Sequence, residues 1–179
     1  RHALGGEKRH QHVVHVAAVV DDEHHGRVRG LSATARLPLA GLRLAPLVPE
    51  PGKIICLGLN YFDHAKEGGR DKPEYPWFFY RGKSSLVAHG APGLLPKASP
   101  KFDYEAELAL VIARDVPRHV SQADALQYVF GYTCFNDMSV RDFQKRTSQW
   151  TLGKSFDTHA PYGPWITTAD EVMKVAPLA

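Results

Sequence analysis

The sequence predicts an α+β fold that is predominantly β, with short peripheral helices. Strand-like apolar runs recur between prolines and glycines, as in KIICLGLN (residues 53–60) and FGYTCF (130–135). A third run, FDYEAELALVIA (102–113), is almost entirely apolar after Glu107 and is typical of a buried strand. Signals for helices cover only short segments of the chain. Sheets should therefore supply most of the core.

Composition limits the classes of function. The chain has 179 residues, of which 44% are hydrophobic and 23% charged, as in an ordinary globular domain. The net charge of +3 forms no block of like charges, so we expect neither nucleic acid nor a membrane as partner. No stretch approaches the roughly 20 apolar residues of a membrane span. Cys56 and Cys134 lie in apolar runs typical of free buried thiols. We expect a cytoplasmic protein.

The first 51 residues differ from the rest, and we interpret residues 1–51 as a variable segment and linker. VVHVAAVV (13–20) predicts one strand, and four prolines mark residues 38–52 as extended. This segment holds six of the ten histidines: His2, His10, His12, His15, His24 and His25. Their spacing is irregular, which favours solvated side chains, with a histidine-rich metal site as the alternative. A domain boundary therefore belongs near residue 52, with residues 52–179 as the second unit.

Residues 52–179 are predicted to contain short helices and several strands. Ser121 is a plausible N-cap for a helix to about Val129, and Ser139 for a second helix containing Asp142. Turn residues in the segment 149–166 predict a loop with short strand pieces. The remaining predicted elements are a strand at 53–60, a helical turn at 63–69, and strands at 76–82, 84–87, 102–113 and 130–135.

Two carboxylates stand on one face of the strand at 102–113. Alternate side chains of a strand share a face, so Glu105 and Glu107 point the same way. Adjacent buried carboxylates need either a retained proton or a cation between them. Oxygen ligands without Cys or His favour Mg²⁺, Mn²⁺ or Ca²⁺. The alternative is an edge strand whose Glu side chains lie in water or pair with Arg and Lys.

Other side chains could complete an active site. His64 and Glu67 stand three residues apart on a helical turn, so the carboxylate could orient the histidine as a general base. Asp137 follows a strand, where it could bind a metal or cap a turn. Solvated loop positions are the alternative for His64 and Glu67.

Three basic or polar groups could bind a substrate anion. Arg141 and Gln144 stand three residues apart on one helix face and could hold a carboxylate or carbonyl oxygen. Lys154, between Gly153 and Ser155, could stabilise an oxyanion. Ordinary solvated side chains are the alternative for all three.

In this order, four segments resemble the successive motifs of the fumarylacetoacetate hydrolase family: GLNYFDHAKE, FDYEAELALVI, GYTCFNDMSVRDFQ and QWTLGKSFDTHAPYGPW. The resemblance implies a β-roll core and a homodimer. It implies that Glu105, Glu107 and Asp137 bind Mg²⁺ or Mn²⁺. It further implies that His64 and Glu67 form a lid dyad that activates water or moves protons. It also implies that Lys154 stabilises the oxyanion and that the substrate contacts are Arg81, Arg141 and Gln144.

The resemblance also implies a reaction. We expect a hydrolase that cleaves a carbon–carbon bond in a small-molecule 2-oxo acid or 1,3-dicarbonyl, of the acylpyruvate or fumarylacetoacetate kind, through a metal-bound enolate. The alternatives are an isomerase, hydratase or decarboxylase of 2-hydroxymuconate-type aromatic catabolites on the same site. A catalytically inactive binding module is a further alternative. Family members carry a Thr-Gly-Thr-Pro stretch that this sequence lacks, so we expect a C-terminally incomplete catalytic domain.

Overall fold

The structure is a computed structural model. It describes residues 43–61 and 73–175, the backbone of residues 16–20, and three single residues, Lys66, Gly69 and Asp71. The predicted turn after residue 20, the six N-terminal histidines, and the pair His64 and Glu67 lie outside the described residues.

Strands form most of the regular structure in the described part of the chain. They are β1 (Val16–Val20), β2 (Lys53–Gly58), β3 (Trp77–Tyr80), β4 (Leu86–Ala88), β5 (Phe102–Asp103), β6 (Ala106–Ile112), β7 (Val129–Asn136), β8 (Ser139–Val140), β9 (Ala160–Tyr162) and β10 (Thr167–Thr168). The strands predicted at 53–60, 76–82, 84–87 and 130–135 are thus confirmed, with ends shifted by a few residues, whereas the strand predicted at 102–113 is divided into β5 and β6.

One large sheet organises these strands. Among the described residues it has eight strands, in the order β3-β2-β1-β6-β7-β9-β4, and β10 pairs with β7 away from this path. β5 and β8 form a separate two-stranded sheet. β1 lies between β2 and β6, antiparallel to the first and parallel to the second. The N-terminal strand is therefore part of the same sheet as the strands after residue 52, and the domain boundary at that residue stays a prediction.

The helices are short, as predicted. Two 3-10 helices span Lys83–Ser85 and Gln122–Tyr128. The α-helices among the described residues are α1 (Arg141–Gln144), α2 (Thr151–Lys154) and α3 (Ala169–Val175). No helix in this part of the chain is long and apolar enough to cross a membrane. The fold class, α+β with a predominance of sheet, is confirmed.

Two helix predictions need correction. Ser121 does cap its helix, since its Oγ accepts the Asp124 N–H at 3.2 Å. That helix is a 3-10 turn, however, and Leu126 on its expected apolar face is 51% exposed. Ser139 is not an N-cap: it lies in β8, and Val140 precedes α1. Its hydroxyl is buried, where it donates hydrogen bonds to the Glu105 carboxylate and to the backbone carbonyl of Asp137.

The core lies on one face of the large sheet. Burying these apolar side chains supplies the main favourable term in folding. The cluster consists of Ile54, Cys56, Phe79, Leu86, Ala109, Phe135, Ala160 and Tyr162. Cys56 is a free buried thiol as predicted, whereas Cys134 is free but exposed. Cys134 alternates with the buried Phe135 along β7 and therefore faces the other side of the sheet.

Candidate metal centre

The alternation predicted for the glutamate strand is confirmed, and it directs both carboxylates inward. Glu105 and Glu107 are buried, together with Ala109 and Val111 on the same face, while Leu108 and its alternate neighbours are only half-buried or exposed. The prediction of burial on both faces is thus wrong for the second face. β6 lies between β1 and β7, so the alternative of an edge strand is also wrong.

The pairing of β6 with β7 brings Asp137 opposite Glu105. Ala106 pairs with Asn136, and one step further the Asp137 N–H donates to the Glu105 carbonyl at 2.9 Å. The Glu105 N–H donates to Asn136 Oδ1 at 3.1 Å, which fixes the junction from the other side. Ligand oxygens of Glu105, Glu107 and Asp137 consequently lie within 4.8 Å of one another.

Lys154 reaches this cluster from α2. Its side chain is 2% exposed, and its Nζ donates to Glu105 Oε2 at 2.8 Å and to Asp137 Oδ2 at 2.6 Å. The preceding Gly153 packs so closely on α1 that a Cβ there would lie 2.4 Å from the Gln144 backbone nitrogen. A glycine at this position therefore allows α2 to approach far enough for the lysine to reach the carboxylates.

Arg81 binds the same aspartate from the opposite side. Its side chain has no exposed surface, and its Nη1 donates to Asp137 Oδ1. Its Nη2 donates to the backbone carbonyl of His159 at 2.8 Å. Arg81 thus lies in the site, as expected, but its guanidinium is occupied by protein oxygens. A direct contact between Arg81 and a substrate stays a prediction.

Arg141 and Gln144 lie together beside Glu105. Arg141 Nη1 donates to Glu105 Oε1 and, at 3.1 Å, to Gln144 Oε1. Its Nε and Nη2 donate to Asp103 Oδ2 at 2.9 and 2.8 Å. The predicted site residues Arg81, Glu105, Glu107, Asp137, Arg141, Gln144 and Lys154 are therefore brought into one cluster. The roles assigned to them stay predictions.

Burial controls the charge state of the cluster. Desolvation raises the pKa of Glu107 to about 9, with the nearby negative charge of Glu105 adding to the shift. Desolvation also lowers the pKa of Lys154 and brings that of Arg81 to about 10. Arg81 and Lys154 pair with Asp137, while Lys154 and Arg141 pair with Glu105.

A divalent cation fits this arrangement. Oxygen ligands of one Mg²⁺, Mn²⁺ or Ca²⁺ lie about 2.0–2.6 Å from the ion, so two ligands on opposite sides are no more than about 5 Å apart. The three carboxylates of the cluster meet that limit. Binding would also remove the reason for Glu107 to keep its proton. The residues present therefore suit a hard divalent metal, as predicted from the two glutamates.

The raised pKa of Glu107 predicts how stability depends on pH in the metal-free protein. The folded state keeps a proton up to pH about 9, whereas the unfolded state releases it near the ordinary value of 4.5. The stability that this group contributes is therefore complete below pH 4.5 and is lost as pH rises toward 9.

We expect the unfolding free energy of wild type, measured by urea titration in EDTA, to fall relative to Glu107→Gln by up to about one kcal/mol per pH unit between pH about 5 and 8. The glutamine keeps the shape of the side chain but cannot titrate, so the comparison cancels all other groups. A difference that does not change with pH would mean that Glu107 is ionised throughout.

Three side chains that the sequence analysis did not assign also belong to the site. Ser139 Oγ lies 3.2 Å from Glu105 Oε1, and Asp103 binds Arg141. Burial, together with the charge of Glu107, raises the pKa of Tyr61 to about 12. Tyr61 stands inside the motif GLNYFDHAKE, so its position in the sequence was a usable signal. The other two depend on strand pairing.

A comparison with known proteins decides the family. The model of the fumarylacetoacetate (FAA) hydrolase C-terminal family matches residues 53–179. The chain belongs to the fumarylacetoacetate hydrolase family. The match begins at the first residue of β2 and includes every residue of the acidic cluster.

Individual members of the fumarylacetoacetate hydrolase family agree with this assignment. The fumarylacetoacetate hydrolase domain-containing protein 2 homolog of Dictyostelium discoideum is 46% identical over 144 residues, which cover 79% of this chain and 46% of the relative. The chain spans about half the length of the curated relatives it matches.

Solved structures of the family have the same fold. The 2-hydroxyhepta-2,4-diene-1,7-dioate isomerase of Mycobacterium marinum is 39% identical, with a TM-score of 0.62 over 76% of this chain and 50% of its own. The fumarylacetoacetate hydrolase of Exiguobacterium antarcticum is 36% identical, with a TM-score of 0.63 over 74% of this chain and 48% of its own. The family thus includes proteins named as hydrolases and as isomerases.

Proposed function

We propose that this chain forms part of a divalent-metal-dependent hydrolase that cleaves a carbon–carbon bond in a 2-oxo acid or 1,3-dicarbonyl substrate. The observation that carries the proposal is the convergence of three carboxylates within 4.8 Å, beside the buried ammonium of Lys154. Three carboxylates this close together offer the oxygen ligands that a divalent cation prefers, and a lysine beside them suits an anionic transition state.

Glu105, Glu107 and Asp137 would hold the ion, with Mg²⁺ or Mn²⁺ as our first choices. When bound, the metal supplies Lewis-acid stabilisation of negative charge on the substrate oxygens. The Lys154 ammonium would hold the oxygen of the attacked carbonyl as it becomes negative. Arg141 and Gln144, on the accessible side of Glu105, would orient a carboxylate of the substrate.

The water-activating groups would come from the segment after Tyr61. The imidazole of His64 would take a proton from water, and Glu67 would orient that ring. The water oxygen would then form a bond to the carbonyl carbon. When the bond from this carbon to its neighbour breaks, the electron pair passes to the neighbour, which leaves as an enolate and is later protonated. Both side chains lie outside the described residues, so this role rests on the motif.

Isomerisation is the second candidate. It is favoured by the Mycobacterium marinum structure, whose name is that of a diene-dioate isomerase. An isomerase would need the same enolate but no attacking water, so one proton-transferring group would suffice. Hydration and decarboxylation are further reactions of such substrates. We also propose that the protein acts as a homodimer and in the cytoplasm.

A turnover assay tests the proposed function. We expect EDTA-treated protein to be inactive and added Mn²⁺ to restore loss of the enol absorbance of an acylpyruvate. Nuclear magnetic resonance of the products separates two carboxylic acids, the result of hydrolysis, from an isomer of unchanged mass. His64→Ala should lower turnover by about 10²-fold or more, the usual contribution of a positioned general base.

Metal affinity serves as the control for that variant. His64→Ala should bind Mn²⁺ as wild type does, because the three carboxylates are intact. Equal turnover by wild type and variant would assign His64 no part in the chemistry. Metal binding without turnover of any substrate of these classes would support the inactive binding module instead.

A further inference from the structure

We propose that His159 is a positioning residue for the metal centre, which it stabilises by fixing the backbone carbonyl that holds Arg81 against Asp137. The inference rests on the proposed function, since it concerns the Asp137 side of the proposed metal site. His159 has no place in the chemistry proposed above, and its side chain points away from the three carboxylates toward two aromatic rings and the loop that contains Leu94.

The carbonyl of His159 is bonded to both sides of Asp137. It accepts the N–H of Met138, the residue directly after Asp137, at 3.1 Å. It also accepts Arg81 Nη2 at 2.8 Å, and Nη1 of the same guanidinium donates to the Asp137 carboxylate. One backbone oxygen therefore fixes the position of the main chain next to Asp137 and also the position of the Arg81 guanidinium, which orients the Asp137 side chain.

The Arg81 guanidinium depends strongly on this oxygen. Its Nε is buried and has no hydrogen-bond partner among the described residues. The head group is thus oriented by its two Nη atoms, through Asp137 on one and His159 on the other. If the carbonyl of His159 moves, the guanidinium keeps only its bond to Asp137 Oδ1, and the Asp137 carboxylate then depends on Lys154 at Oδ2 for its orientation.

The imidazole fixes the position of that carbonyl. The His159 ring is fully buried between Phe102 and Phe156, with centroid distances of 4.5 and 5.3 Å. Its Nε2 lies 2.8 Å from the carbonyl oxygen of Leu94, and because that oxygen can only accept, Nε2 carries the hydrogen. A buried donor and a backbone acceptor far apart in sequence are thereby joined.

A second hydrogen bond joins the same two segments of the chain. The N–H of Leu94 donates to Thr158 Oγ1 at 2.9 Å, so adjacent side chains at 158 and 159 bind both polar groups of one residue. Thr158 has a positive φ of 68°, which is costly for a β-branched residue and persists only where the surroundings enforce it. The two bonds to Leu94 supply that enforcement and hold the turn that presents the His159 carbonyl.

The test compares variants that keep or lose the bond to Leu94, with Mn²⁺ affinity measured by the electron paramagnetic resonance signal of the free ion. His159→Gln keeps an N–H donor near the position of Nε2, and His159→Leu fills a similar volume without one. We expect His159→Leu to weaken Mn²⁺ binding by about 10- to 100-fold, as for other groups that orient metal ligands, and His159→Gln to stay within about threefold of wild type.

A matched control separates positioning from general destabilisation. Tyr162→Phe removes two other buried hydrogen bonds, in which the phenol accepts the Val48 N–H and donates to the Val48 carbonyl, each at 2.7 Å. It should lower the melting temperature but leave Mn²⁺ affinity at the wild-type value.

A milder pair of variants covers the case in which His159→Leu does not fold. Thr158 is partly exposed, so Thr158→Ala, which loses the bond to Leu94, and Thr158→Ser, which keeps it, should both fold. We expect Thr158→Ala to weaken Mn²⁺ binding by about threefold to tenfold and Thr158→Ser to have wild-type affinity.

Wild-type Mn²⁺ affinity in a folded His159→Leu variant would overturn the inference. If His159→Leu does not fold, wild-type Mn²⁺ affinity in Thr158→Ala would overturn it. Absence of Mn²⁺ binding in wild type would instead contradict the proposed function.

Discussion

Asp137→Ala should abolish the rise in melting temperature that Mn²⁺ causes in wild type, and it should destabilise the metal-free protein. The substitution removes one of three carboxylate ligands and leaves Arg81 and Lys154 buried without their shared partner. Removing one partner of a buried ion pair costs about 3–5 kcal/mol, because the remaining charge stays desolvated. Thermal melts with and without Mn²⁺, together with urea titration in EDTA, measure the two effects separately.

Two further substitutions make this result specific. Asp137→Asn keeps the volume and one acceptor oxygen, so it should fold more stably than Asp137→Ala but bind Mn²⁺ no better. Asp142→Ala removes a carboxylate five residues away, which accepts a hydrogen bond from Ser99 at 2.7 Å and lies outside the cluster. It should retain the full effect of Mn²⁺. An unchanged Mn²⁺ effect in Asp137→Ala would remove Asp137 from the metal site.

The part of the site that local geometry determines could be predicted from the sequence. The period of two in a strand places Glu105 and Glu107 on one face whatever the rest of the chain does. The end of a strand can likewise be predicted from the sequence, so Asp137 could be placed at the end of β7 before the strand that pairs with β7 was known. The structure adds that these two places are opposite each other in the β6–β7 ladder.

Contacts between distant segments could not be predicted in the same way. Ser139 has the sequence features of an N-cap, yet the antiparallel pairing of β5 with β8 places it inside, beside Glu105. Arg81 stands 56 residues before Asp137, and no periodicity indicates that the two meet. The prediction of an amphipathic helix after Ser121 failed for a related reason: its apolar residues had the right spacing, but among the described residues no element buries Leu126, which is 51% exposed.

The ion pairs of Lys154 lead to the second large effect. In the metal-free protein its ammonium occupies the same carboxylates that would bind the ion. A lysine and a metal would therefore compete for negative charge at this site, whereas Asp137 is proposed as a ligand of the metal. Loss of the lysine should lower turnover without lowering metal affinity. This result is expected if Lys154 stabilises an oxyanion, and it is not expected if Lys154 only holds the carboxylates in place.

We expect Lys154→Met to lower turnover by about 10²–10³-fold, the usual cost of removing one group that stabilises an oxyanion. Its Mn²⁺ affinity should equal or exceed that of wild type, because Glu105 and Asp137 no longer share their oxygens with an ammonium. The methionine preserves the contact with Phe79, whose ring centroid lies 5.4 Å from Nζ, so the core stays filled. Turnover by the Mn²⁺-loaded variant and calorimetric titration of the metal test both statements. A variant that loses Mn²⁺ binding in proportion to its turnover would show that Lys154 acts by holding the carboxylates in place and not on the substrate.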